Sequence, residues 1–252
     1  MQEPKRLSYL LPKIEGNTWV IGDVHGYIST LKALVEKVIA AKKGDQLIFL
    51  GDLVDRGPNV KATLDYVMGL KAHGIDVHCI RGNHDDLFVK SYHESTTRTN
   101  KRFLFLQPSL PLTASWLQMG GKETLQSFNV EKVSEVDPKY IDFIDSLPYF
   151  IESENYLFVH AGFDFESNKP FEDTNAMMWI RHYKVDLEKT KGRKVIHGHT
   201  PVSIDFIEML VKNNDENFLV LDNGIYQSER EKGRLMAFNI NTSTLKWQMN
   251  CD

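Results

Sequence analysis

The sequence predicts an α/β fold built on a parallel core sheet, with a second, mixed sheet beside it and helices flanking both. Three observations carry this. A strand, a loop and an amphipathic helix follow one another three times within residues 18–92. Each of those strands runs into a loop holding glycine and a carboxylate, amide or imidazole side chain. From residue 204 onward the pattern changes to short alternating segments of β type. Successive β-α-β units close into parallel strands with right-handed crossovers, and their loops gather at the carboxyl ends of the strands.

Thr18–Ile21 reads as the first strand, and Leu31, Leu34, Val35, Val38 and Ile39 then recur at helical spacing. Gln46–Leu50 is the second strand; Pro58 is expected in the first turn of the next helix, whose apolar face is Leu64, Val67 and Met68. Asp76–Ile80 is the third, followed by a helix over Asp85–Tyr92. Residues 93–121 weaken into a polar, basic stretch (Arg98, Lys101, Arg102) and then Pro108 and Pro111, read as a partly helical insertion. A short helix over Asp137–Leu147 and strands at Tyr156–Val159 and Lys194–Ile196 come next. Ile204–Val211, Phe218–Leu221, Arg234–Ile240 and Thr244–Met249 are expected as antiparallel strands, with hairpin turns at Asn213-Asn214-Asp215 and Asn241-Thr242-Ser243.

The chain has 252 residues, 42% hydrophobic and 25% charged, which suits one ordinary globular domain over residues 1–252. Thirty basic against 34 acidic residues leave a formal charge of −4. No net positive field favours nucleic acid or an anionic membrane surface. The two cysteines, Cys79 and Cys251, form neither a metal-type pair nor a disulfide framework. With no signal-peptide stretch and no apolar run of about 18 residues, a cytoplasmic location is expected.

The chemistry is concentrated in five segments: Gly22-Asp23-Val24-His25-Gly26, Gly51 through Gly57 (GDLVDRG), Gly82-Asn83-His84-Asp85, His160-Ala161-Gly162 and His197-Gly198-His199-Thr200. Carboxylate, amide and imidazole donors suit manganese, iron or zinc, whereas a thiolate site would need cysteines in these loops. Glycine lets a metal and a phosphate approach the main chain. There are more donors than one ion needs, so two divalent ions about 3.5–4 Å apart, sharing a carboxylate, are the natural expectation. Of His197 and His199, His199 alone is expected as a ligand.

The ordered set GDVHG, GDLVDRG, GNHD, HAG and HGHT over residues 22–201 resembles the phosphoprotein phosphatase family of metallophosphoesterases. Trp116, Gly120-Gly121, Thr124-Leu125, Trp179-Ile180-Arg181 and Leu221-Asp222-Asn223-Gly224 resemble its bacterial and phage-type members. The resemblance implies a four-layer α/β/β/α sandwich. It implies a first metal on Asp23, His25 and Asp52, and a second on Asp52, Asn83, His160 and His199, with manganese the first choice. It implies phosphate binding by Arg56, Arg81 and Arg181, with His84 as general acid paired to Asp55. Asp85 stands where many members carry glutamate, a departure that bears on a supporting role.

The activity so implied is that of a protein serine/threonine phosphatase, in which a hydroxide activated by two metals attacks phosphorus directly and in line. Imidazolium is suited to protonate the poor alkoxide leaving group, and arginine's fork holds two phosphate oxygens at once. The partner would be a phosphorylated protein or peptide, with the oligomeric state open. The alternative is a symmetrical dinucleoside tetraphosphate hydrolase or another small-phosphoester hydrolase. A catalytically silent scaffold would be expected to lack a ligand or the acid, and none is missing.

Overall fold

Apolar side chains on both faces of the inner strands demand cover on both sides, and a two-sheet sandwich supplies it. The computed structural model describes residues 7–98, 111–213 and 217–252. In it, β1 (Ser8–Leu10) and β2 (Thr18–Ile21) precede helix α1 (Ile28–Lys32), which runs on as a wider helical turn over Ala33–Val38. β3 (Gln46–Phe49), α2 (Val60–Gly69), β4 (Asp76–Cys79) and α3 (Asn83–Arg98) complete the repeated units. β2, β3 and β4 pair in parallel, as the repeating pattern predicts. Pro58 lies in the turn ahead of α2, two residues short of the helical turn expected for it, and Asn59 takes the capping position.

α4 (Leu112–Trp116), α5 (Lys122–Phe128) and α6 (Pro138–Asp145) lead into β5 (Phe150–Glu152) and β6 (Tyr156–Val159). Asp137 caps α6 by accepting the Lys139 N–H at 3.0 Å. Then come α7 (Thr174–Trp179), α8 (Leu187–Thr190), β7 (Lys194–His197), α9 (Ile204–Asn213), β8 (Phe218–Val220), β9 (Asp222–Asn223), β10 (Arg234–Asn239) and β11 (Thr244–Met249). One sheet has the order β11-β10-β2-β3-β4, with β9 against β10; the other is β1-β5-β6-β7-β8. Both mix parallel and antiparallel pairs.

Alternation along each strand sorts the core into layers. Ile21, Leu47, Phe49 and Val77 face α1, α2 and α6, while Val20, Ile48 and Leu50 meet Ile151, Phe158 and Ile196 between the sheets. Leu157, Val159 and Val195 face outward onto Phe163 and Met177. The basic stretch at Lys101 and Arg102 lies outside the described residues, as does the side chain of Arg98.

The structure corrects the reading of the last quarter. Ile204–Val211 is the helix α9, not a strand: Ile204, Ile207 and Leu210 recur every third residue and bury one side, leaving Phe206 and Met209 exposed. That helix is a crossover, so β8 lies parallel to β7 and not in a hairpin. Asn213 ends α9, while Asn214 and Asp215 of the expected turn lie outside the described residues. β10 and β11 are antiparallel as expected, and β9, which the sequence did not mark as a strand, pairs antiparallel with β10. β1 and β5 have three residues each, too short for a periodicity to mark them.

The start of α1 is capped from far along the chain. The Asp252 carboxylate accepts from Ser29 N at 2.9 Å, and from Thr30 N and Oγ1 at 2.8 and 2.7 Å. Replacing Asp252 by alanine is expected to cost about 1 kcal/mol, read as a fall in Tm of roughly 2–4 °C. An unchanged melting curve would show that solvent replaces this cap.

Candidate active site

β2 and β3 are neighbours in one sheet, β6 and β7 are neighbours in the other, and the sheets pack face to face. The loops that follow these strands, together with the start of α3, therefore meet above one end of the sandwich. Their backbones are unusual. His25, Asp52, Asp55, Arg56 and His199 all adopt positive φ, at 49°, 49°, 71°, 68° and 70°. Side-chain-bearing residues rarely occupy this region, and such strain collects where a fold holds functional groups in place. Glycine handles the closest approaches: a Cβ on Gly82 would overlap Asp52 Oδ1, and one on Gly198 would overlap Asp23 Oδ1.

Two buried groups of donor atoms share one residue. His25, Asp52 and His84 form one, and Asp52, His160 and His199 form the other, the donor atoms within each lying within 4.8 Å of one another. Asn83 joins the second group, its Oδ1 lying 2.9 Å from His160 Nε2 and 3.0 Å from His199 Nδ1. Asp23, expected on the first metal, falls outside both groups and accepts the His199 N–H at 3.1 Å, while His84, expected as the acid, falls within the first.

The protonation pattern is that of a cation site. His25 Nδ1 faces the Val54 carbonyl at 2.9 Å, and His160 Nδ1 faces the Leu50 carbonyl at 2.8 Å. A carbonyl only accepts, so each Nδ1 carries the proton and each Nε2 presents a lone pair. Those lone pairs point at Asp52 Oδ2 from 3.6 and 3.5 Å, acceptor against acceptor. His199 Nε2 is buried with no hydrogen-bond partner. Burial holds His25 and His160 below the ordinary imidazole range and puts His199 at about 3, so the rings stay neutral. Burial, then the carboxylates of Asp222 and Asp52, push Asp23 well above the usual range. Burial acts to raise Asp52 while the imidazoles of His160, His84, His25 and His199 act to lower it; with the other three neutral, His84, whose own pKa is raised, is the ring that holds the carboxylate charged. Hard oxygen donors and neutral imidazoles around a strained acid cluster fit divalent cations.

Asp55 and His84 are paired as expected, with His84 Nδ1 2.8 Å from Asp55 Oδ2. Asp55 also accepts from Trp116 Nε1 at 3.0 Å and from Thr124 Oγ1 at 2.6 Å. Burial lowers the His84 pKa, but Asp52 and Asp55 together raise it above the ordinary value. Its Nε2 faces Arg56 Nη2 at 3.0 Å. Asp85 accepts from Asp52 N, Leu53 N and Gly82 N at 2.8, 3.0 and 2.9 Å. The shorter acid therefore ties the second loop to the third.

A cavity of about 260 Å³ opens onto this cluster and is lined by Asp52, Asn83, His84 and His199, with Arg56, Arg181 and Lys232 among its walls. Arg81, expected among the phosphate-binding arginines, is elsewhere. It is buried, with Nε 3.1 Å from Asp86 and Nη1 2.7 Å from Asp145. It ties α3 to α6, and both partners are needed because an unpaired buried guanidinium would be costly. His197 turns from the cluster, packing against Tyr183 and Phe218 at 5.6 and 6.1 Å; it closes β7, whereas His199 at φ 70° has left the strand, so the two imidazoles part although residues two apart on a strand would share a face.

Sequence reasoning did not give roles to Trp116 and Thr124, or find Lys232 at all. Trp116 and Thr124 lie 61 and 69 residues from Asp55, so no local spacing could pair them. Lys232 is one lysine in a charged loop, without a motif of its own. Tyr226 lies under Arg56, 4.0 Å from guanidinium carbon to ring centre, and edge-on to His25 at 5.5 Å.

Residues 16–227 match the family described as calcineurin-like phosphoesterase. A curated relative, the symmetrical bis(5'-nucleosyl)-tetraphosphatase of Janthinobacterium sp. (strain Marseille), is 31% identical over 147 residues, covering 58% of this chain and 43% of that one. The match thus spans less than half of the relative's length. A crystal structure provisionally named a diadenosine tetraphosphatase superposes with a TM-score of 0.61 at 16% identity, over 98% of this chain and 99% of that one. A serine/threonine protein phosphatase from Saccharomyces cerevisiae gives 0.60 at 15% identity, over 100% of this chain and 85% of that one. At such identities the structures share the fold alone.

Proposed function

This chain belongs to the calcineurin-like phosphoesterase family, whose description matches residues 16–227, and from that premise we propose that it is a two-metal hydrolase of symmetrical dinucleoside tetraphosphates. The observation that carries the reading is the position of Asp52, shared by both buried donor groups at the floor of a cavity ringed by Arg56, Arg181 and Lys232. Phosphoserine and phosphothreonine in proteins, the first expectation from sequence, become the competing substrates. A phosphomonoester dianion is matched by two arginines, whereas a tetraphosphate chain brings charge for the lysine as well. The name of the curated relative points the same way.

In this reading Asp23, His25 and Asp52 hold one cation, and Asp52, Asn83, His160 and His199 hold the other. Manganese is the proposed ion, with iron or zinc as alternatives for this donor set. When bound, such a pair lowers the pKa of water and polarises phosphoryl oxygens. Arg56 and Arg181 hold the oxygens of the reacting phosphate and stabilise its charge as the bond breaks. His84, oriented through Nδ1 by Asp55, gives a proton from Nε2 to the departing oxygen. Water adds across the central anhydride bond, and two nucleoside diphosphates leave.

The test is a comparison of kcat/KM for diadenosine tetraphosphate and for phosphoserine and phosphothreonine peptides, in manganese. A preference of roughly hundredfold or more for the dinucleotide, the scale that matched polar contacts can supply, is expected, with ADP the sole nucleotide product. Equal or greater kcat/KM on the peptides would overturn the substrate assignment. Turnover surviving exhaustive chelation would overturn the metal requirement.

A further inference from the structure

A second, larger cavity of about 740 Å³ adjoins the catalytic one, and Arg56, Met119 and Tyr226 line both. Its remaining walls include Tyr27, Leu117, Gln118, Lys122 and Glu123. The wall is built rather than incidental. Arg56 N donates to the Gly120 carbonyl at 3.1 Å, and Gly120 sits at φ +114° where a Cβ would overlap the Arg56 backbone and side chain. The loop that carries the phosphate-facing arginine is thus locked edge to edge with the segment that forms the groove.

The lining has a mixed character. Tyr27 adds an aromatic ring, Tyr226 lies under the Arg56 guanidinium, Leu117 and Met119 add apolar contact, and Gln118, Lys122 and Glu123 add hydrogen-bonding groups at the rim. Half-buried Tyr27 rests against Gly57, where a Cβ would meet its Cδ2. A flat heteroaromatic ring carrying polar edge groups suits such walls, through stacking on tyrosine and hydrogen bonds at the rim. A bare phosphate would use none of the apolar wall.

We propose that this groove is a nucleoside subsite: a base and ribose attached to the phosphate chain leave the catalytic cavity past Arg56 and lie between Tyr27 and Met119, with the base on the Tyr27 ring. The inference rests on the nucleotide reading above for its natural substrate, but it makes a separate prediction about any nucleotide. Tyr27 would set specificity without touching the reacting phosphate.

The experiment measures competitive inhibition of p-nitrophenyl phosphate turnover by ADP and by inorganic pyrophosphate, in manganese, for the wild type and for Tyr27→Ala, Tyr27→Phe and Gln118→Ala. ADP is expected to inhibit the wild type about tenfold better than pyrophosphate, the scale of one base-aromatic stack. Tyr27→Ala should abolish that advantage while pyrophosphate inhibition holds, Tyr27→Phe should restore it, and exposed Gln118→Ala should shift ADP alone. Equal inhibition by ADP and pyrophosphate in the wild type would overturn the subsite. So would a Tyr27→Ala variant that keeps the full ADP advantage, or one that weakens both inhibitors equally. If diadenosine tetraphosphate proves a poor substrate while the ADP advantage follows Tyr27, the substrate reading fails and the subsite stands.

Discussion

Asp52→Asn is expected to lower kcat by about a thousandfold or more, the several kcal/mol of transition-state stabilisation that a metal pair supplies, without unfolding the protein. Asp52 is the one residue common to both donor groups. An amide there removes a negative charge from both at once, so metal content should fall below two ions per chain. The loss should be confined to binding and turnover, because the His84 N–H that bonds to Asp52 Oδ1 at 3.0 Å can bond equally to an amide oxygen. Removing one acid from a cluster in which Asp23 is already pushed up by burial, Asp222 and Asp52 also relieves repulsion. It also forfeits the attraction between the Asp52 carboxylate and His84, so the metal-free variant should still fold cooperatively and melt within a few degrees of the metal-free wild type. Wild-type metal content by elemental analysis, together with wild-type turnover, would end the two-metal account.

His84→Asn should separate leaving groups. A positioned acid contributes roughly 10²–10⁴-fold where the departing oxygen is strongly basic. The loss in kcat should reach that range for alkyl phosphates and shrink for the nucleoside diphosphate that departs from a tetraphosphate, a much weaker base. Plotting log kcat against leaving-group pKa for a series of phosphate esters should give a steeper negative slope in the variant than in the wild type. Metal content should not change, and Asp55 should stay satisfied through Trp116 and Thr124. A uniform loss across the series would assign His84 to positioning alone.

The two substitutions bear on residues that the sequence made conspicuous, and the reason is chemical. Asp23, His25, Asp52, Asn83, His84, His160 and His199 each stand beside or near glycine just after a strand, in a loop or, for Asn83 and His84, at the start of α3, and acceptor side chains pointed into a common space have few uses other than a cation. The parallel strands β2, β3 and β4 were legible because each is followed by a helix of clear period. Arg81 misled because an arginine beside the third motif has the same sequence signature whether it faces the cavity or, as here, Asp86 and Asp145. α9 misled because Ile204, Phe206, Ile207, Met209 and Leu210 satisfy a period of two and a period of three over so short a span.

What the sequence determined by itself was the set of donors and the strands that carry them, since both depend on residue type and on spacing within a few residues. What only the tertiary structure decided was which side chains share a space: Trp116 and Thr124 against Asp55, Lys232 beside the two cleft arginines, and Tyr27 and Met119 along one groove. Those neighbours are brought together by two sheets packing through a common apolar layer. Burial of that layer fixes distances between segments far apart in the chain, and no local pattern in either segment records them.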